Sequence, residues 1–327
     1  MLLSSITEIK TILPIGTGND FNRLRPHLQN AETAYIKPLL GTNMYDELCE
    51  FYENYPYAEP TEVQEITGEL LLKVQHAIIH LAYFAGFDFL NVSATDMGFS
   101  RTESQTSKSL FRYQEDNLRT YFKDSGFNML DDILLFLEEN ISSFSEFELS
   151  DTYTVLKSAF IQTASVFHGI YFISNSRLTF LRLQPHIKFI EETVIQPLLG
   201  SDTYNEIKSG MITDPVPSKV VGVLPYIRTP LAYLSAALLM EESGADLTDR
   251  GLYFSATIAS TQDSRNITPA AADRIALLVA RARNMGNAYL EMLKTYMADN
   301  IADWSDFTSQ TGSVFNRDNT GKKTFWA

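Results

Sequence analysis

The feature that most constrains this chain is that it repeats itself. Residues 24–48 align without a gap on residues 183–207, and eleven of the 25 pairs are identical. They include Leu24/Leu183, Pro26/Pro185, His27/His186, Glu32/Glu191, Tyr45/Tyr204 and the whole Pro38-Leu39-Leu40-Gly41 run against Pro197-Leu198-Leu199-Gly200. Further on, Asn140 to Phe147 matches Asn300 to Phe307 in aromatic and acidic character, and Gly126 matches Gly286 at the same 160-residue spacing. Asp96-Met97-Gly98-Phe99 pairs with Asp249-Arg250-Gly251-Leu252 at a spacing of 153, so the length differences fall in the middle of each copy. A period this long predicts two tandem domains rather than a solenoid of short repeats.

Each copy reads as helical. Ala31, Ala34, Tyr35 and Leu39 keep near one face, and Gly41 fits a positive-φ position just past a helix end. Thr42 or Ser201 then caps the next helix, and Pro38 and Pro197 loosen the last turn before it. Ile66, Leu70, Val74, Ala77, Ile78, Leu81 and Ala85 lie at helical spacing within 66–89, with a counterpart opening at Pro230. Leu252–Ala259 alternates like a strand after an Asp-x-Gly turn, predicting a small β-hairpin in each copy. Thr268 and Pro269 open a long helix with a buried stripe of Ile275, Leu278, Val279, Ala282, Met285, Tyr289, Met292, Leu293 and Tyr296. Its first-copy equivalent is broken at Asp124-Ser125-Gly126, as a kink or a helical hairpin. The expected fold is therefore mainly α, with tandem pseudo-equivalent helical domains at 1–150 and 151–307, and a flexible arm at 308–327.

With 327 residues and 45% of them apolar, the chain can bury two cores. Its net charge of −14 disfavours nucleic acid and anionic membranes as main partners, since both need a basic footprint. The single cysteine, Cys49, excludes an internal disulfide and a cysteine zinc cage. Glu8 and Lys10 interrupt the apolar run that a secretory leader needs, and the uncharged stretch between Lys157 and Arg177 is too polar for a bilayer and reads as a buried connector. A cytoplasmic location is the expectation.

Candidate chemistry is sparse. His76 and His80 share a helix face, as two zinc ligands would, but no Glu follows His76 and the intervening residues are Ala77, Ile78 and Ile79. His27 with Glu32 resembles an acid/base pair, yet five residues of helix set the side chains about 140° apart. That Pro-His pair is read as a helix-entrance packing feature instead. Cys49 reads as a buried small residue, Gly16-Thr17-Gly18-Asn19 as a turn, and the doublets Asp131-Asp132, Glu138-Glu139, Glu191-Glu192 and Glu241-Glu242 as solvated faces. The basic run Arg274, Arg281 and Arg283 and the terminal Phe325-Trp326 are candidate partner contacts. No catalytic residue and no cofactor is assigned.

The Pro-Leu-Leu-Gly elements, the Asp-x-Gly turn, the Asn-Ile-x-x-aromatic elements and the segment Asn319 to Trp326 together resemble a family of uncharacterised proteins. That family, a domain of unknown function, occurs in gut Bacteroidetes and in their phages and prophages. The resemblance implies a non-enzymatic structural or adaptor role in a phage particle, in the manner of head-to-tail connectors. The expected partners are then the chain itself and phage structural proteins, without a membrane or sequence-specific nucleic acid. The alternative is a host-encoded peptide- or glycan-binding module, with Tyr226, Tyr233 and Phe254 lining a groove between the domains. A metal-dependent hydrolase built on His76 and His80 is the third option.

Overall fold

The computed structural model describes residues 1–14, 20–55, 61–90, 92–95, 98–100, 110–242, 245–248, 251–254 and 272–304. The fold is mainly α. In the first copy, α1 (Ile6–Ile12) is followed by α2 (Phe21–Ala31), a π-helical turn (Glu32–Ile36), α3 (Lys37–Leu40), α4 (Thr42–Asn54) and α5 (Glu62–Leu90). Two short antiparallel strands, β1 (Ser93–Thr95) and β2 (Gly98–Ser100), precede α6 (Arg112–Glu139). Then come α7 (Ser145–Glu148) and α8 (Asp151–Ser158). The second copy has α9 (Ala164–Ile170), α10 (Arg177–Ile190), a second π turn (Glu191–Ile195), α11 (Gln196–Leu199), α12 (Ser201–Gly210) and α13 (Ser218–Glu242). It continues with β3 (Ala245–Thr248), antiparallel to β4 (Gly251–Phe254), and α14 (Ala272–Asp299).

The proline of Pro-Leu-Leu-Gly explains the π turns. Pro38 has no N–H to offer the carbonyl one α-turn back, so the preceding residues widen and the Lys37 N–H reaches the Glu32 carbonyl instead. Pro38 then sits in the first turn of α3, where a missing donor costs least. The second copy repeats this, with the Gln196 N–H on the Glu191 carbonyl. Gly41 (φ 82°, ψ 161°) and Gly200 (φ 79°, ψ 153°) end these helices in a backbone region that essentially only glycine occupies. These glycines, rather than Thr42 and Ser201, are the N-caps of α4 and α12, and neither helix start has a side-chain cap. Thr42 and Ser201 are already the first helical residues.

Contacts divide the chain into two compact units, one of Met1–Lys157, Ser176–Leu181 and Gly244–Ala270, the other of Ser158–Asn175, Arg182–Ser243 and Ala271–Ala327. In the first unit α5 is the central helix, with Leu70, Val74, Ala77, Ile78 and Leu81 fully buried, while Ala85 of the expected stripe is exposed. Each fully buried Leu, Ile or Val contributes roughly 1.5–3 kcal/mol. At the C-terminal end of α5, Arg23 Nη2 donates to the carbonyls of Phe89 and Leu90 at 3.1 and 3.0 Å and to that of Val92 just beyond the helix at 2.5 Å. In the second unit α13 takes the corresponding place, with Val223, Ile227, Leu231 and Ala237 buried. By length and composition alone α5 and α13 are apolar enough to cross a bilayer, but 67% and 56% of their most apolar windows are buried inside the protein.

Four expectations change here. The long first-copy helix α6 runs unbroken through Asp124-Ser125-Gly126, because Gly126 is where α5 comes close: a Cβ there would lie 2.7 Å from Leu81 Cδ2. Gly286 of α14 meets Leu234 of α13 in the same way, at 2.6 Å. Helix α13 begins at Ser218, not Pro230, and carries Pro225 and Pro230 inside it. Pro26 and His27 lie in the middle of α2, whose entrance is capped by Asp20. Finally, the buried side of α14 is Val279, Ala282, Gly286, Leu293 and Met297, whereas Leu278, Met285 and Met292 are exposed. Thr268 and Pro269 lie outside the described residues.

Candidate functional site

The repeated π turn aims a glutamate into the core of each unit. Glu32 is 3% exposed and accepts from the Leu2 amide at 2.6 Å and from the Tyr45 hydroxyl at 3.1 Å. Gln75 of α5 donates to the Leu2 carbonyl at 2.7 Å, so side chains satisfy both backbone groups of Leu2. Leu2 and Leu3 are themselves fully buried. Burial, reinforced by the Glu32 charge, pushes the Tyr45 hydroxyl far above the ordinary tyrosine range.

The second unit builds the same latch from partly different residues. Glu191, 4% exposed, accepts from the Phe160 amide at 2.6 Å and from the Tyr204 hydroxyl at 3.3 Å. Arg228 of α13 donates to the Phe160 carbonyl at 2.8 Å, where the first unit uses Gln75. Lys208, which aligns with Cys49, adds a cation: its Nζ is 2.7 Å from Glu191, donates to the Ser158 carbonyl at 2.6 Å and lies 3.8 Å from the centre of the Phe160 ring. Burial pulls the Lys208 pKa below its ordinary value, and Glu191 pulls it back up. Both carboxylates are held by short donors from backbone and side chain. Their geometry fixes an incoming chain segment rather than presenting a free acid or base.

The long helices α6 and α14 present a second kind of candidate site. On α6 and just before it, Phe111, Tyr113, Leu118 and Tyr121 are exposed, with Phe111 and Tyr113 stacked at 5.9 Å. On α14, Leu277, Leu278, Met285 and Met292 are exposed. Leu118 and Leu278 are equivalent at the 160-residue spacing that also relates Gly126 to Gly286.

A family description matches the chain twice, over residues 36–156 and again over 195–317, so the duplication and the family boundaries agree. The chain belongs to the DUF6712 family, a family of unknown function. Comparison with curated proteins and with solved structures finds no match.

In this DUF6712 chain the candidate pair His76 and His80 is divided between two surroundings. His80 is buried, and its Nδ1 lies 2.8 Å from the His76 carbonyl. A carbonyl only accepts, so Nδ1 carries the proton. Its ring packs near Tyr121 and Phe122 at 6.0 Å. His76 instead lines a shallow pocket of about 310 Å³ with Glu69, Leu72, Lys73, Met129 and Asp132. Burial, His80 and Lys73 hold its pKa below the usual value. Lys73 is already engaged by Asp132 at 2.7 Å and Glu69 at 3.7 Å. Among the described residues no group of three or more His, Cys, Asp or Glu side chains is placed to hold a metal.

The other candidates fall apart in space or change role. His27 packs its ring over Gly86, where a Cβ would approach to 2.6 Å, and is not part of the Glu32 latch. His186 lies 3.6 Å from Glu242. Cys49 is half-buried rather than buried. Three of the four acidic doublets are not simply solvated: Glu191 is a latch, Glu138 pairs with buried Arg177 at 2.9 Å, and Asp131 accepts from the Ser176 hydroxyl and the Leu178 amide at the start of α10. In the fourth, Glu241 meets Arg283 at 2.5 Å, while Arg274 and Arg281 are exposed. Tyr226 stacks on Tyr296 at 4.3 Å and Tyr233 on Tyr289 at 5.8 Å, which gives them packing roles between α13 and α14. Phe325, Trp326, the Gly16–Asn19 turn and the Phe254 side chain lie outside what the structure describes. Two sites escaped the sequence reading. The latch glutamates were signalled by the identity of both Glu and Tyr across the copies, and the exposed α14 face by the seven-residue spacing of Leu278, Met285 and Met292.

Proposed function

We propose that this chain is a non-enzymatic structural or adaptor protein of a phage or prophage particle, resembling head-to-tail connectors in role. The observation that supports it is that the equivalent helices α6 and α14 each expose apolar side chains, with Leu118 and Leu278 at matched positions. Exposed apolar side chains grouped on a helix mark protein contact surfaces. A duplicated chain supplies two pseudo-equivalent contacts to a symmetric assembly with half as many subunits. The net charge of −14 suits a component that lies near packaged DNA without gripping it. The setting in gut Bacteroidetes and their phages is what the resemblance of the sequence motifs implies, and the proposed location is the bacterial cytoplasm before assembly and the virion after it.

Genome context with mass spectrometry of purified particles tests this reading. Capsid and portal genes as neighbours, and the protein present in particles in fixed proportion to portal, are the expected outcome. Neighbouring transporter and glycan-enzyme genes, with no protein in particles, would contradict it.

A further inference from the structure

Helix α14 carries an apolar seam that its own core does not use. Leu278, Met285 and Met292, seven residues apart, are 44%, 38% and 49% exposed, and Leu277 beside them is 70% exposed. At 100° per residue the core residues Val279, Ala282, Gly286, Leu293 and Met297 centre about 100° away around the helix, and Tyr289 and Tyr296, stacked on Tyr233 and Tyr226 of α13, mark the border where the seam adjoins that contact. A seven-residue apolar repeat on an exposed helix is the pattern that receives another helix, and methionine side chains adapt readily to such a contact.

The charges along this face identify the second helix. Arg274 and Arg281 lie within about 40° of the seam near the N-terminal end of α14, and Asp299 lies within the same angle at the C-terminal end. All three are exposed. The face is therefore basic at one end, apolar in the middle and acidic at the other. A parallel copy would set Arg274 against Arg274. An antiparallel copy, with a two-fold axis between Met285 and Ala288, sets Arg274 of each chain against Asp299 of the other and lays the apolar seams on one another.

We propose that α14 is a self-association surface on which a second copy of this chain docks its own α14 antiparallel, giving an isologous two-fold dimer. The inference rests on the structural reading above in taking the seam as a protein contact, and it names the partner. Complementary ends fix the direction of pairing, and the seam supplies the buried area.

Sedimentation velocity of the full chain over a concentration series tests it, with far-UV circular dichroism confirming an unchanged helix content for each variant. The unmodified chain passes from monomer to dimer. Met285→Glu, which brings like charges together near the axis, raises Kd at least about tenfold. Arg274→Glu and Asp299→Arg each weaken the dimer, and the two together restore it, because the reversed pair still matches across the axis. A chain that stays monomeric at every concentration overturns the proposal, as does a dimer indifferent to Met285→Glu or a double variant no better than the singles. Binding of a monomer to phosphatidylserine vesicles, lost in Met285→Glu, assigns the seam to lipid and also overturns it. Presence of the protein in particles is measured separately, so a failed dimer leaves the particle role standing.

Discussion

Glu32 and Glu191 are almost wholly removed from water, and each is kept there by a backbone amide at 2.6 Å and a tyrosine hydroxyl. Removing the side chain leaves those donors buried without a partner, so Glu32→Ala is expected to cost about 1–3 kcal/mol. Glu191→Ala also strands the Lys208 ammonium, whose side chain is 19% exposed, and is expected to cost more, about 3–5 kcal/mol. Urea denaturation of the two variants checks both the losses and their order. His76 provides a pH test. Its folded pKa lies below the unfolded value, so in that window the unfolded chain binds more protons and stability rises with pH. Stability therefore falls as pH drops from about 7 to 5, and His76→Gln makes that slope shallower in denaturation midpoints measured across the range.

At the scale of elements, close approach and special backbone govern the helices. Gly41→Ala forces a side chain into a backbone region that disfavours it, for an expected loss of about 1–3 kcal/mol. Gly286→Ala drives a Cβ against Leu234 between α13 and α14 and is expected to lose a similar amount, about 1–3 kcal/mol, by overpacking. Thermal melts of each variant measure these. Such positions also show what was legible in the sequence. Pro-Leu-Leu-Gly announced a helix end with a loosened turn and a positive-φ glycine, because proline and glycine act through their own backbones. The burial of Glu32 was not legible, since a carboxylate enters a core only when distant donors such as the Leu2 amide meet it. The break expected at Asp124-Ser125-Gly126 failed for a related reason: Gly126 serves a neighbouring helix, not a turn. The expected stripe of α14 is too wide: Val279, Ala282 and Leu293 are buried as expected, but Leu278, Met285 and Met292 are exposed, because apolar residues occupy two adjacent faces and a 3.6-residue period does not say which one meets the core.

At the scale of the whole molecule, one helical unit occurs twice with its mechanics intact. The π turn, the positive-φ glycine, the latch glutamate with its tyrosine, and the glycine–leucine contact of the two longest helices recur in both copies, although Gln75 becomes Arg228 and Cys49 becomes Lys208. The latch is thus kept while its accessory residues vary, and surface positions diverge further, Met285 and Met292 of α14 standing where the first copy has Ser125 and Asp132. Amide hydrogen exchange at Leu2 and Phe160 tests this equivalence most directly. Both amides should be protected in the unmodified protein, with Glu32→Ala releasing Leu2 and Glu191→Ala releasing Phe160 by about tenfold or more in rate. Exchange of either amide at the free-peptide rate in the unmodified protein, or release by one substitution but not the other, would show that the two copies do not share a latch.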